Sequence, residues 1–279
     1  MFIKKDTYGV GTGRLRKLRV LSAIIVGCCV LFINTAGVAA NGSVHTESEK
    51  KPEPIAEGEV SAALLAEVGT GRVVYEYNSE EKLPAAGLTR LAALVSVCKG
   101  FDEGRLKPGD AVSVSEKAAG IGGTTAFLKA GEQMDAETML LAAVMINAGD
   151  ATHSLALAAA GSESAAVQEI NACMAGIGVE TNFSEICGAG EKLSASELAK
   201  IGAALTASES YCKFGTKFYE KIEHNTGAGA TELANPNKLV KQYSGCIGVG
   251  TGSSTEAGYC GVFAAKRGNT AFIAVVLGA

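Results

Sequence analysis

Hydrophobic and polar positions change their spacing several times along this chain of 279 residues. An apolar run at 20–33 gives way to a polar, charged stretch from Asn41 to about Glu59. Two strand-like runs follow at 60–68 and 72–77, joined through Gly69, Thr70 and Gly71, which predicts a β-hairpin. The pattern then turns helical. Residues 88–99 are apolar and stop at Gly100, Asp135 stands where it caps a helix running to about Asn147, and 151–160 and 163–175 each end at or near a glycine. Ser194 with Glu197 carries a capping-box signature for a helix to about Leu205. Strand patterns return after Asn237, at 245–250, 257–266 and 270–277, the last two separated by Arg267, Gly268 and Asn269. Strands at both ends with helices between them predict a mixed α/β fold, an antiparallel sheet from N- and C-terminal strands with a central helical insertion.

Composition narrows the function classes. With 47% hydrophobic and 19% charged residues the chain has enough apolar material for one large core. The net charge of -4 leaves no basic field, so nucleic acid is not an expected partner. At the N-terminus, Arg14, Arg16, Lys17 and Arg19 precede the apolar run, and Val38, Ala39 and Ala40 supply a small-residue cleavage pattern, so 1–40 is expected to be a secretory signal and 41–59 a polar spacer. Retention of that segment would leave a membrane anchor, and Ile25-Val26-Gly27-Cys28 loosely matches a lipoprotein processing site. Cleavage would leave Cys98, Cys173, Cys187, Cys212, Cys246 and Cys260, an even number compatible with disulfides or with buried thiols. No CxxC occurs and His45, His153 and His224 stand apart, so neither a metal nor a cofactor is expected.

Several stretches, in order, resemble the low-molecular-weight penicillin-binding proteins, the serine D-alanyl-D-alanine carboxypeptidases of bacterial cell walls. They are Val68-Gly69-Thr70-Gly71-Arg72-Val73-Val74-Tyr75, Leu83-Pro84-Ala85, GIGGTTAFLKAGE at 120–132, Ala160-Gly161-Ser162, Asn235-Pro236-Asn237-Lys238-Leu239, Glu256-Ala257-Gly258-Tyr259-Cys260 and the terminal AVVLGA. The resemblance spans residues 60–279 and implies a β-lactamase/transpeptidase-like fold. It also implies three motifs at one cleft: SxxK with nucleophile and base, SxN to relay protons and hold substrate, and KTG to align the substrate and its terminal carboxylate.

All three motifs are degenerate here. The first falls on Gly87, Leu88, Thr89 and Arg90; a glycine has no nucleophile, and a guanidinium does not give up its proton. Thr89 is no substitute, because two residues along a helix turn about 200°. The second motif reads Asn147, Ala148, Gly149 and the third Gly250, Thr251, Gly252, in which the threonine and the last glycine remain. No catalytic residue is therefore expected, while Arg90 and Thr251 are candidates for holding a peptide carboxylate. Literal SxxK strings beginning at Ser48, Ser79 and Ser210 lack partner motifs, and Asp150 and His153 read as a helix-start cap and a surface residue.

The leading expectation is an exported, catalytically inactive binding or scaffolding protein of peptidoglycan metabolism, with a stem peptide as candidate ligand. The alternative is an active carboxypeptidase with an unrecognised nucleophile, and a third reading is a structural oligomer with an empty cleft. Residues 272–277 are apolar at successive positions, so both faces of the last strand are expected to need cover. In the resembling family a further helix, and often a second β domain, follows that strand. Their lack here implies an apolar sheet face available for self-association, a protein partner or the membrane surface.

Overall fold

The computed structural model describes residues 59–227 and 229–279; the expected signal, and the spacer up to Gly58, lie outside the described residues. The expected hairpin is present as β1 (Ala62–Glu67) and β2 (Val73–Tyr77), paired antiparallel. The helical insertion comprises α1 (Arg90–Asp102), α2 (Ala136–Ile146), α3 (Gly149–Ala160), α4 (Glu163–Gly176) and α5 (Ala195–Ala207), with shorter turns between them. A hairpin of β3 (Tyr219–Glu223) and β4 (Ala230–Ala234) precedes the closing strands β5 (Cys246–Ser254), β6 (Gly258–Arg267) and β7 (Thr270–Leu277). The main sheet runs β2-β1-β7-β6-β5, antiparallel throughout, so first and last strands pair at its centre and β5 forms an edge.

Local chemistry sets the helix boundaries. Asp135 accepts from the Thr138 N–H, Ser162 from Ala165, and Ser194 and Glu197 complete their capping box, each satisfying donors that a helix start leaves unpaired. Helix α1 buries Leu91, Ala92, Ala93, Leu94, Val97 and Cys98, apolar nearly all round, and so becomes the central helix of the core. Helix α5 packs on the inner sheet face through Gly202. A Cβ there would collide with Ile273 Cδ1 and lie 2.8 Å from Val262 Cγ1, so glycine sets how closely the two layers approach.

The period of two along β7 divides its apolar run. Ile273, Val275 and Leu277 are buried under the helices, whereas Phe272, Ala274 and Val276 are only half-buried on the opposite face. Leu65 of β1 and Phe263 of β6 stand opposite Ala274 on that second face and are likewise half-buried. All six cysteines from Cys98 to Cys260 are free thiols, every one buried except Cys212. No helix among the described residues is long and apolar enough to cross a membrane.

Two side chains read as isolated or superficial are structural. His224 Nδ1 lies 2.8 Å from Glu132 Oε1, with both side chains almost fully enclosed, and its Nε2 lies 2.8 Å from Thr231 Oγ1. This ties the β3–β4 hairpin to the 129–132 turn, where Glu132 also accepts the Lys129 N–H. Asp150, expected as a helix-start cap, stands in the first turn of α3 and is buried: its carboxylate accepts the N–H groups of Ala126, Leu128 and Ala151, fixing the loop that runs past the cleft.

Candidate functional site

A chain entering a buried helix, a junction between two helices and an edge strand meet at one place. The entry to α1 is a tight 3-10 turn, Ala86–Thr89, in which Ala86 has φ +49°. A non-glycine residue in the left-handed region is uncommon and stores strain. Asn147, at the C-terminal end of α2, has φ +56°, a conformation that asparagine tolerates better. Its side-chain Nδ2 donates to the Gly87 carbonyl at 2.6 Å, joining the two bends. From the sheet side Gly252 closes the gap: a Cβ on it would lie 3.0 Å from the Gly87 nitrogen.

Arg90 is only 9% exposed and has no carboxylate partner among the described residues. Its Nη1 donates to the carbonyl oxygens of Thr124 (2.9 Å) and Asn147 (3.2 Å), and its Nη2 to that of Gly122 (2.5 Å). Three of the five guanidinium N–H groups are thus committed to the main chain, at a position that the sequence offered for holding a peptide carboxylate.

Small residues make room for this guanidinium. A Cβ on Gly149 would fall 2.9 Å from Arg90 Cζ and 2.7 Å from Ile121 Cγ2, and one on Gly123 3.0 Å from Arg90 Nη2. Arg90 and Gly149 are therefore a matched pair: the longer side chain at one position fills space that any side chain at the other would need. Gly149→Asn alone is expected to destabilise the fold by about 1–3 kcal/mol through overpacking. In an Arg90→Lys background the loss should shrink, giving a coupling of about 1 kcal/mol in a denaturant double-mutant cycle. Additive losses would show that the two positions are independent.

Gly87, Arg90, Asn147, Thr251 and Gly252 line a cavity of about 580 Å³, with Thr124, Ser253 and Tyr259 among its other walls. Gly149 lies beneath Arg90, and Gly250 faces Leu91 of α1 and Leu88 of the turn before it, at 3.4 and 3.7 Å from where a Cβ would sit. The seven motif positions thus converge, five on the cavity and two just below it. Among the described residues Arg90 is the only charged side chain in the cavity walls.

A second cavity of about 350 Å³ also reaches Gly87 and Arg90 and is walled by Lys117, His153, Glu185 and Cys187. His153 is buried, contrary to its reading as a surface residue, and its Nε2 lies 2.9 Å from Glu163 Oε1 but out of line for a hydrogen bond. Burial pushes the imidazolium pKa below its ordinary value. Burial pushes the Cys187 thiol up to about 11, leaving almost no thiolate at neutral pH, and it also raises the thiol of Cys260 on the wall of the larger cavity. Thr89 is committed as well, its hydroxyl donating to the Cys187 carbonyl at 2.9 Å. Ser79 and Ser210 of the stray SxxK strings bond Glu76 and Asp102, away from the cleft. Sequence reasoning left out the Gly122–Thr124 segment, although two glycines in a row were a sign that something large approaches the backbone there.

A cleft set between a helix N-terminus, a helix–helix junction and the edge strand of an antiparallel sheet is the arrangement of the penicillin-binding and transpeptidase fold. Among solved structures the chain is similar to the D-alanyl-D-alanine carboxypeptidase DacD from Francisella tularensis, with a TM-score of 0.72 at 21% identity over 79% of this chain and 66% of that one. It is also similar to a point mutant of the Streptomyces K15 DD-transpeptidase, with a TM-score of 0.70 at 22% identity over 79% of this chain and 90% of that one. The sequence profile described as D-alanyl-D-alanine carboxypeptidase matches residues 46–279, and the chain belongs to that family. It is 33% identical over 265 residues to D-alanyl-D-alanine carboxypeptidase DacF of Bacillus subtilis (strain 168), covering 94% of this chain and 66% of that protein. It is 26% identical over 268 residues to DacA of Escherichia coli (strain K12), covering 92% of this chain and 64% of that protein. The chain thus spans just under two thirds of the length of these two relatives.

Proposed function

We propose that this protein is an exported, catalytically inactive member of the family that works by binding rather than hydrolysis. Residues 1–40 act as its export signal, 41–59 as a spacer, and 60–279 as the binding domain on the outer side of the membrane. The observation that carries the reading is at the helix entry: Gly87 stands where the family's nucleophile belongs, and the residue one turn later, Arg90, is locked onto three carbonyl oxygens. No general base stands beside the hydroxyls of Thr251 and Ser253 or the Cys260 thiol on the described cavity wall, and a guanidinium supplies none. The cleft itself is maintained, with a volume of about 580 Å³, strained bends at Ala86 and Asn147, and Thr251 on its wall. That combination fits a protein that holds a peptide of the cell-wall stem type, or scaffolds its neighbours, without cutting.

The competing reading, an active carboxypeptidase with a substitute nucleophile, finds Thr89 bonded to a carbonyl, the Cys187 and Cys260 thiols raised by burial, and Thr251 and Ser253 on the cavity wall without a base beside them. Incubation with a fluorescent penicillin followed by intact-mass measurement decides between them. No adduct is expected even after prolonged exposure; a stoichiometric covalent adduct would overturn the inactive reading.

A further inference from the structure

A net charge of -4 conceals a local surplus of cations at one end of the main sheet. Its base is the turn before the closing strands: Asn235 Oδ1 accepts the Asn237 N–H, Asn237 Oδ1 accepts the Leu239 N–H, and both asparagines are buried. On that base stands a single helical turn, Leu239–Gln242, and every residue from Lys241 to Gly245 is exposed. The end of β6 lies alongside, because the Gly245 carbonyl accepts the Lys266 N–H at 2.8 Å. Segments well apart in sequence thus bring Lys238, Lys241, Lys266 and Arg267 to one exposed surface. Among the described residues none of the four has a carboxylate partner, whereas Lys213 and Lys217 are paired with Glu137 and Glu220. Leu239 and Tyr243, 37% and 46% exposed, stand among these cations. Arg267 Cζ lies 5.1 Å from the centre of the Tyr243 ring, and Lys241 Nζ 5.3 Å from that of Phe218. From Tyr259 at the cleft to Lys266 the strand β6 rises about 23 Å, so the patch and the cleft occupy opposite ends of the sheet.

We propose that this patch docks the domain on an anionic lipid bilayer, its cations against the headgroups, Leu239 and Tyr243 at the edge of the acyl region, and the cleft turned away from the surface. Four cations without partners match a surface of opposite charge. The apolar pair favours a bilayer over a soluble polyanion, since a leucine and a tyrosine gain burial at the headgroup boundary and nothing from a polymer of charges. The rings beneath Lys241 and Arg267 hold both charges in place, so less side-chain freedom is lost on contact. The contact uses no cleft residue and does not depend on the apolar run at 20–33. Which side of the membrane it meets rests on the export reading; the affinity for lipid does not.

Amide hydrogen exchange of the full chain on vesicles reads the contact locally, so that attachment through the N-terminal run cannot stand in for it. On vesicles of phosphatidylglycerol and phosphatidylcholine in equal parts, residues 238–245 and 267–270 are expected to gain protection while 249–253 at the cleft do not. On phosphatidylcholine alone, and at about 1 M salt, where charges are screened beyond about 3 Å, that protection should vanish. Lys238→Glu with Lys241→Glu should need at least about tenfold more lipid for half-protection, and the matching pair of Gln substitutions should fall between it and the parent. Leu239→Ser with Tyr243→Ser should also weaken the contact; all six side chains of the patch are exposed, and a thermal melt checks that each variant folds. Protection that is absent, equal on phosphatidylcholine alone, or indifferent to salt would overturn the proposal, and the parent protein alone decides these. Undiminished protection in the Leu239/Tyr243 variant would overturn the bilayer in favour of a soluble polyanion. None of these outcomes bears on the penicillin result, which tests the cleft.

Discussion

Gly87→Ser will fold, and it will still form no penicillin adduct. A Cβ at this position meets nothing nearer than Asn147 Nδ2 at 3.6 Å and Arg90 Nη1 at 3.9 Å, so a serine fits the turn without displacing its neighbours. What it lacks is a partner to take its proton. Arg90 is held in place by Gly122, Thr124 and Asn147 and stays protonated throughout the accessible range. In serine hydrolases the loss of nucleophile or base alone lowers turnover by about 10⁶-fold, so restoring one of the pair recovers almost nothing. Intact mass after penicillin treatment, with a thermal melt as a folding control, checks both halves. A variant that melts like the parent and becomes acylated would mean that another group already serves as base.

Arg90→Ala carries the largest expected loss of stability at the site. It removes three charge-assisted bonds and leaves three carbonyl oxygens at a cavity wall with no donor except water. Bonds to a charged donor contribute about 1.5–3 kcal/mol each, and water entering the space made by truncation recovers part of that, so a loss of about 2–4 kcal/mol is expected. Arg90→Met separates bonding from space-filling. If the side chain served only to fill volume, methionine would restore most of the loss; if it acts as a donor, Met will be nearly as unstable as Ala. Urea denaturation of the three proteins reads this directly, and a methionine variant within error of the parent would sink the donor role.

Much of the fold was legible because its signals are local. The hairpin, the caps at Asp135 and Ser194 and the last strand at Thr270–Leu277 rest on turn glycines, side-chain caps and runs of β-branched residues. The β3–β4 hairpin was not legible: Ile222 and Leu233 are its only buried side chains, so nothing alternates strongly enough to mark two strands. Strand β5 runs to Ser254, beyond the expected end at Gly250, because its pairing with β6 holds a glycine-rich stretch that has little strand propensity of its own. At the site, the identities of the replaced residues could be read in the chain, but their consequences could not. That Arg90 bonds carbonyls 32, 34 and 57 residues away, and that Asp150 and His153 are interior, depends on tertiary placement with no local signal. The apolar run in β7 signalled two faces in need of cover, and only the one under the helices is fully buried.

The bend at Ala86 has one more implication. A residue held in the left-handed region stores about 1–3 kcal/mol of strain. Here the strained residue is followed by Gly87, whose carbonyl accepts from Asn147. The bend acts as a latch, fastening the start of the central helix to the end of its neighbour. The cleft therefore owes its shape to a stressed joint, and loosening either side of that joint is a route to changing its outline without touching its walls.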